Sequence, residues 1–338
     1  MTVAEPLLRL DERGVRCGLR ECRQRQARKR SNRRYASRKS WFTAVKSLEP
    51  ERVSCLPARH GQAAVLLRAA LAVTRGQAAV SFPPMRKLGQ NHDGYHGERI
   101  DPAAVLRAAE DAARHHGWQR QAFGRQEKFD LVAWYRPGPP GARRVYISAG
   151  IHGDEPAAPL VAARLLAENR WPTAELWLLP CLNPMGFTLN RRENAEGLDL
   201  NRDYRQPRSP EIRAHIAWLD GQPTFDLALC LHEDWEAQGF YMYEVNPDQL
   251  PSQAAGIVAT VAAICPIDRS EIIEGRRARD GVIRPALLPL TERPDWPEAL
   301  YLVMHKTRLS YTLEAPSDFP LATRVEALVA GTRAALAG

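Results

Sequence analysis

Val145-Tyr-Ile-Ser-Ala-Gly-Ile-His152-Gly-Asp-Glu155 is the stretch on which the fold turns. An apolar strand over residues 145–149 runs into a turn that carries an imidazole and a carboxylate three residues apart. Open α/β sheets place their ligand crevices just beyond the C-terminal ends of strands, and a His with a Glu suits zinc. His-x-x-Glu alone recurs by chance in many proteins, so the pair needs partners elsewhere in the chain.

The surrounding pattern alternates strands and helices. Upstream, Asp101-Pro102 reads as the cap and first position of a helix, with Val105, Leu106, Ala109 and Ala112 as its apolar stripe. Residues 129–135 alternate like a strand, and residues 137–141 turn. Downstream the spacing predicts a helix over 156–168, a strand over 175–181, a helix capped by Ser209 and ended by Gly221, and a strand over 225–231. The segment 239–245, a helix over 254–264, a strand over 309–313 and a helix over 322–336 complete the chain. Residues 268–298 are charged and Pro-rich and read as a loop bordering a substrate. This order implies an α/β fold with a mixed, mostly parallel sheet and helices on both faces. His92 and His96 lie in a Gly-punctuated loop that nothing fixes, and read as surface residues.

The formal net charge of +8 is unevenly spread. Residues 1–84 carry 18 Lys and Arg against 6 Asp and Glu, leaving 29 against 33 for residues 85–338. The Arg-rich tract from Arg20 to Arg34 has almost nothing apolar to bury and is expected to be a disordered extension, even a mis-called start. A globular domain is expected from Met85 to the end. Without aromatic interleaving in the tract, and with an acidic main domain, the sequence argues against a nucleic-acid partner. Six cysteines without a C-x-x-C pair or clustered framework read as the reduced thiols of a cytoplasmic protein. No apolar run is long enough to span a bilayer, so no membrane partner is expected. The oligomeric state leaves no trace in the sequence.

Leu229-Cys-Leu-His232 repeats the setting of the first histidine at the end of a second strand. Two such strands ending at one sheet edge bring His152, Glu155 and His232 together as a three-ligand zinc site with a position open for water. Between them lies Arg192-x-Asn194-x-x-Gly197-x-Asp199-x-Asn201-Arg202, and Tyr311-Thr-Leu-Glu314 follows late in the chain. In this order the motifs resemble the zinc carboxypeptidase family and the related succinylglutamate desuccinylase and aspartoacylase group, over about residues 145–320.

The resemblance implies a carboxypeptidase-like fold and one zinc ion bound by His152, Glu155 and His232. It implies that Asp199 fixes the tautomer of His152, that Asn201 and Arg202 hold the substrate's free carboxylate, and that Arg192 polarises the scissile carbonyl. Glu314 becomes the general base toward water, and Tyr301 is the tyrosine expected over the substrate. Glu292, Asp295 and Glu298 lie where a side-chain pocket belongs and could select a basic residue, but solvated loop charges are the preferred reading. Asp234 and Glu236 are close enough to His232 to support it. The expected activity is a zinc metallocarboxypeptidase acting on the C-terminal amide of peptides, with deacylation of N-acyl amino acids as the alternative within the same chemistry. A non-catalytic protein that keeps the fold, or a nucleic-acid binder using the basic arm, is the contrasting reading.

Overall fold

The computed structural model of the chain describes residues 87–287 and 291–338. The basic extension and the boundary expected near Met85 lie outside the described residues. Helix α1, Pro102–His115, opens as expected, with the Asp101 carboxylate accepting from the Ala103 amide. Strands β1, Gln119–Gln126, and β2, Phe129–Arg136, pair antiparallel as a hairpin. Next come β3, Arg143–Ala149, helix α2, Ala157–Glu168, and β4, Ala174–Leu179. A short helix α3, Pro184–Leu189, is capped by the Asn183 side chain on Gly186 N, and α4, Pro210–Asp220, by Ser209 on Ile212 N. The remainder is β5, Leu227–Asp234, β6, Tyr241–Val245, helix α5, Ala254–Val261, three short strands β7, Ile272–Ile273, β8, Arg276–Arg279, and β9, Val282–Ile283, helix α6, Glu298–His305, β10, Ser310–Pro316, and α7, Leu321–Leu336.

The strands form one sheet in the order β1-β2-β4-β3-β5-β10-β6-β9-β8-β7. Its centre, β4-β3-β5-β10, is parallel; antiparallel pairs extend it on both sides, apart from β6 and β9, which pair parallel. The parallel centre is buried on both faces, which is why its strands read as continuous apolar runs. On one face Val145, Ile147, Leu227, Leu229 and Leu231 pack under α1, α2, α5 and α7. On the other, Tyr146, Ala228 and Cys230 pack with residues of α4 and α6. No helix among the described residues is long and apolar enough to cross a membrane.

The expected loop over 268–298 is a correction in part. It holds β7, Ile272–Ile273, β8, Arg276–Arg279, and β9, Val282–Ile283, which extend the sheet, and it ends in α6. Glu274 and Gly275 turn the β7–β8 hairpin with φ of 51° and 66°, the backbone that such tight turns require. An Arg-rich strand with exposed positions, one strand in from the edge, offers no hydrophobic alternation to read, and the same holds for the edge strand β1.

Candidate metal centre

Strand β3 ends at Ala149, and Gly150, with φ of 66°, swings the chain into the turn that holds His152. Gly153 follows because there is no room for a side chain: a Cβ there would drive into the backbone of Gly186 in α3. Glu155 stands just before α2. Strand β5, hydrogen-bonded directly to β3, delivers His232 at the same sheet edge. The three side chains are buried, at 2%, 4% and 3% exposure. Their candidate ligand atoms all lie within 4.8 Å of one another. Glu155 sits between the two imidazoles, with Oε2 at 3.0 Å from His232 Nδ1 and Oε1 against His152 Nδ1.

Asp199 Oδ1 is 3.4 Å from the far ring nitrogen of His152, Nε2, so Nδ1 is the atom left facing the cluster. Arg192 donates from Nε to Asp199 Oδ2 at 2.9 Å and brings Nη1 to 3.3 Å from His152 Nδ1. Burial pushes the Glu155 carboxyl up, but the charges of His152 and His232 outweigh it and hold the group well below the usual carboxylate range. Asp199 is held low in the same way: burial opposes ionisation, while His152 and Arg192 prevail. The buried Glu155, the half-buried Asp199 and two imidazoles thus converge, a donor set of His, His and carboxylate that fits one divalent cation.

Glu314 is paired with His232 in the parallel ladder between β10 and β5. It lines the same cavity, about 420 Å³, as the three candidate ligands, together with Arg192, Asp199, Asn201 and Arg202. Burial pushes its carboxyl well above the ordinary range, with Glu155 and Asp234 adding repulsion and His232 and Arg192 pulling the other way. Asn201 accepts from Glu298 N through Oδ1 at 2.8 Å, which leaves its amide nitrogen for another partner. Arg202 donates to Asn201 O at 2.8 Å and lies 3.5 Å from Asp295. At the mouth Asp234, Glu236 and Glu274 gather carboxylate oxygens. Burial raises the Asp234 carboxyl to about 6, and Tyr241 donates to it at 3.1 Å.

Two expectations meet a different geometry, those for Tyr301 and Glu298. Tyr301 is not among the residues lining the cavity: its ring packs against Tyr204 and His305, because α6 turns that face toward the core. Tyr241 and Tyr243 line the cavity instead. Glu298 faces away from any substrate pocket, buried under Tyr146 and Ser148, both of which donate to it. Asp295, paired with Arg293 and Arg202, and Glu292, exposed outside the cavity lining, sit as the loop charges of the preferred reading. The sequence reading also missed Glu233 and Arg324, a fully buried ion pair beneath the site. One signal was available: Arg324 falls among Leu321, Val325 and Leu328 on the apolar face of α7.

A family model of the succinylglutamate desuccinylase/aspartoacylase catalytic domain matches residues 141–263, which include His152, Glu155 and His232. Carboxypeptidase SOL1 of Arabidopsis thaliana is 33% identical over 107 residues, 25% of this chain and 22% of that protein. The chain therefore spans about a fifth of the length of this curated relative. Among solved structures, a protein assigned as a metallopeptidase from Shewanella baltica OS155 aligns with a TM-score of 0.62 and 25% identity over 70% of this chain and 92% of that one. Two others share the fold alone. One is a protein likewise assigned as a metallopeptidase from Shewanella denitrificans OS217, at 0.61 and 22% identity over 77% and 98% of the chains. The other is bovine thrombin-activatable fibrinolysis inhibitor, at 0.51 and 13% identity over 71% and 97%. Fold and site together define an α/β protein of the metallohydrolase type. The chain is similar to zinc carboxypeptidase-like metallopeptidases and, over residues 141–263, to the succinylglutamate desuccinylase/aspartoacylase catalytic domain.

Proposed function

We propose that the protein is a zinc-dependent hydrolase that removes a residue from the carboxyl end of a peptide. The observation that carries this reading is the convergence of His152, Glu155 and His232 on one point, with Glu314 paired beside His232 and Arg192 and Arg202 in the same cavity. Zinc held by those three side chains would supply a Lewis acid and bring the pKa of water to about 7. Glu314 takes a proton from the attacking water and passes it to the leaving nitrogen; a carboxyl pushed up by burial suits both halves of that task. Arg192 offers its guanidinium to the negative charge that develops on the scissile oxygen. Asp199 holds the His152 ring from behind. The free amide nitrogen of Asn201 and the guanidinium of Arg202 take the substrate's carboxylate, for which a planar fork is well shaped.

The match to the desuccinylase/aspartoacylase domain favours a second reading, deacylation of an N-acyl amino acid, which also presents a carboxylate next to an amide. Metal analysis followed by a panel of free and C-terminally blocked peptides alongside acyl amino acids tests both. Release of C-terminal residues from free peptides supports the first reading; cleavage of acyl amino acids alone replaces it with the second. A protein that binds no metal and cleaves neither class refutes both.

A further inference from the structure

Glu233 follows the candidate ligand His232 and reaches toward the turn that carries Glu155. Its backbone N–H donates to Glu155 Oε2 at 3.1 Å. Its side chain accepts from the amide of Ala157, two residues beyond Glu155, through Oε1. Through Oε2 it meets Arg324 of α7, and both side chains of that pair are wholly buried. Arg324 is itself held by Glu98 and by the Tyr95 hydroxyl, which lies 3.3 Å from both terminal nitrogens. Glu98 also accepts from Leu321 N at the start of α7. A single carboxylate therefore joins the strand that brings one histidine to the helix start that follows the ligand carboxylate, and Arg324 fixes that carboxylate from behind.

We infer that the buried Glu233–Arg324 pair is a positioning device for Glu155, setting the angle at which this carboxylate meets a metal ion. The inference rests on the metal reading above. Burying two charges gives little net stability when a well-packed apolar pair can replace them. The Ala157 amide, by contrast, has its acceptor in Glu233, and a ligand carboxylate depends on the bonds that orient it. A pair that merely stabilised the fold would alter unfolding and leave the metal affinity of the folded protein alone.

The test uses the full chain and zinc alone, with affinity measured by competition against a chelating indicator and folding followed by circular dichroism. The double variant Glu233→Met with Arg324→Met removes the charges together and keeps the volume. It is expected to fold and to bind zinc about 10- to 100-fold more weakly. Glu233→Gln keeps an oxygen for Ala157 N and is expected to stay within about threefold of the wild type. A folded double variant with wild-type affinity overturns the positioning role, as does a Glu233→Gln loss as large as that of the double variant. A wild-type protein that binds no zinc overturns the metal reading, and this inference with it.

Discussion

Glu314 and His232 are direct neighbours across the β10–β5 ladder. Two adjacent strands, rather than loops, set the distance between the candidate base and an imidazole of the metal cluster. Replacing Glu314 by Gln keeps the shape and removes the proton acceptor, so kcat should fall by about 10²- to 10⁴-fold while zinc content stays at the wild-type level. The base must be ionised to act, and burial pushes its carboxyl up. Wild-type activity should therefore decline as pH falls through that titration, and the residual rate of Glu314→Gln should lack this limb. Full activity in the variant refutes the mechanism.

The ligands and their supports should separate by readout. His152→Ala and His232→Ala each remove one of three ligands, and both should be isolated without stoichiometric metal by elemental analysis. Asp199→Asn leaves the ligands in place but loosens the grip on the His152 ring. Its zinc affinity should fall by about 10- to 100-fold. Metal retained by the histidine variants places the cation elsewhere.

Arg202 and Asn201 lie side by side in the cavity, and their effect should depend on the substrate's end group. Arg202→Ala should raise KM about 10-fold or more for substrates with a free carboxylate, since one charge-assisted hydrogen bond contributes about 1.5–3 kcal/mol. C-terminally amidated substrates should be turned over no differently by variant and wild type. An equal loss on both classes moves Arg202 out of carboxylate recognition.

What the sequence disclosed followed from burial and repetition. The strand before His152 was legible because both of its faces are covered, leaving an unbroken apolar run, and His232 because it repeats that strand-end setting. Asp101 and Ser209 announced their helices by cap chemistry. Tyr301 was misplaced because α6 lies in a stretch of prolines and charges, so its helical phase, which turns the ring toward Tyr204, was hidden. The hairpin carrying Arg276 lies on an edge where arginines satisfy the strand without apolar alternation. Glu233 and Arg324 are 91 residues apart in sequence, and only the packing of α7 against the sheet brings them together.

Gly153 tests the turn itself. A methyl group there meets the backbone of Gly186 rather than a flexible side chain, so the α3 segment or the His152 turn has to move. Gly153→Ala should lose about 1–3 kcal/mol of stability and also bind zinc more weakly, as measured by urea unfolding and chelator competition. Wild-type values for both show that the two backbones can part without cost.

His215 makes a prediction independent of the metal. Its ring has no solvent exposure, and both nitrogens meet hydroxyls, Nε2 that of Tyr146 at 3.0 Å and Nδ1 that of Tyr204 at 2.7 Å. Burial lowers its pKa from 6.5 to about 3. The unfolded chain therefore binds a proton at this site before the folded one does, and the folded state loses stability as pH falls from the unfolded value toward the folded one. Between pH 7 and pH 5 this single group should remove about 2 kcal/mol. His215→Gln should be less stable at pH 7, yet its deficit relative to the wild type should shrink by about that amount at pH 5. Urea unfolding of the two proteins at both pH values measures it, since the other titrating groups cancel in the difference; a deficit that stays constant would show that His215 is not buried in its neutral form.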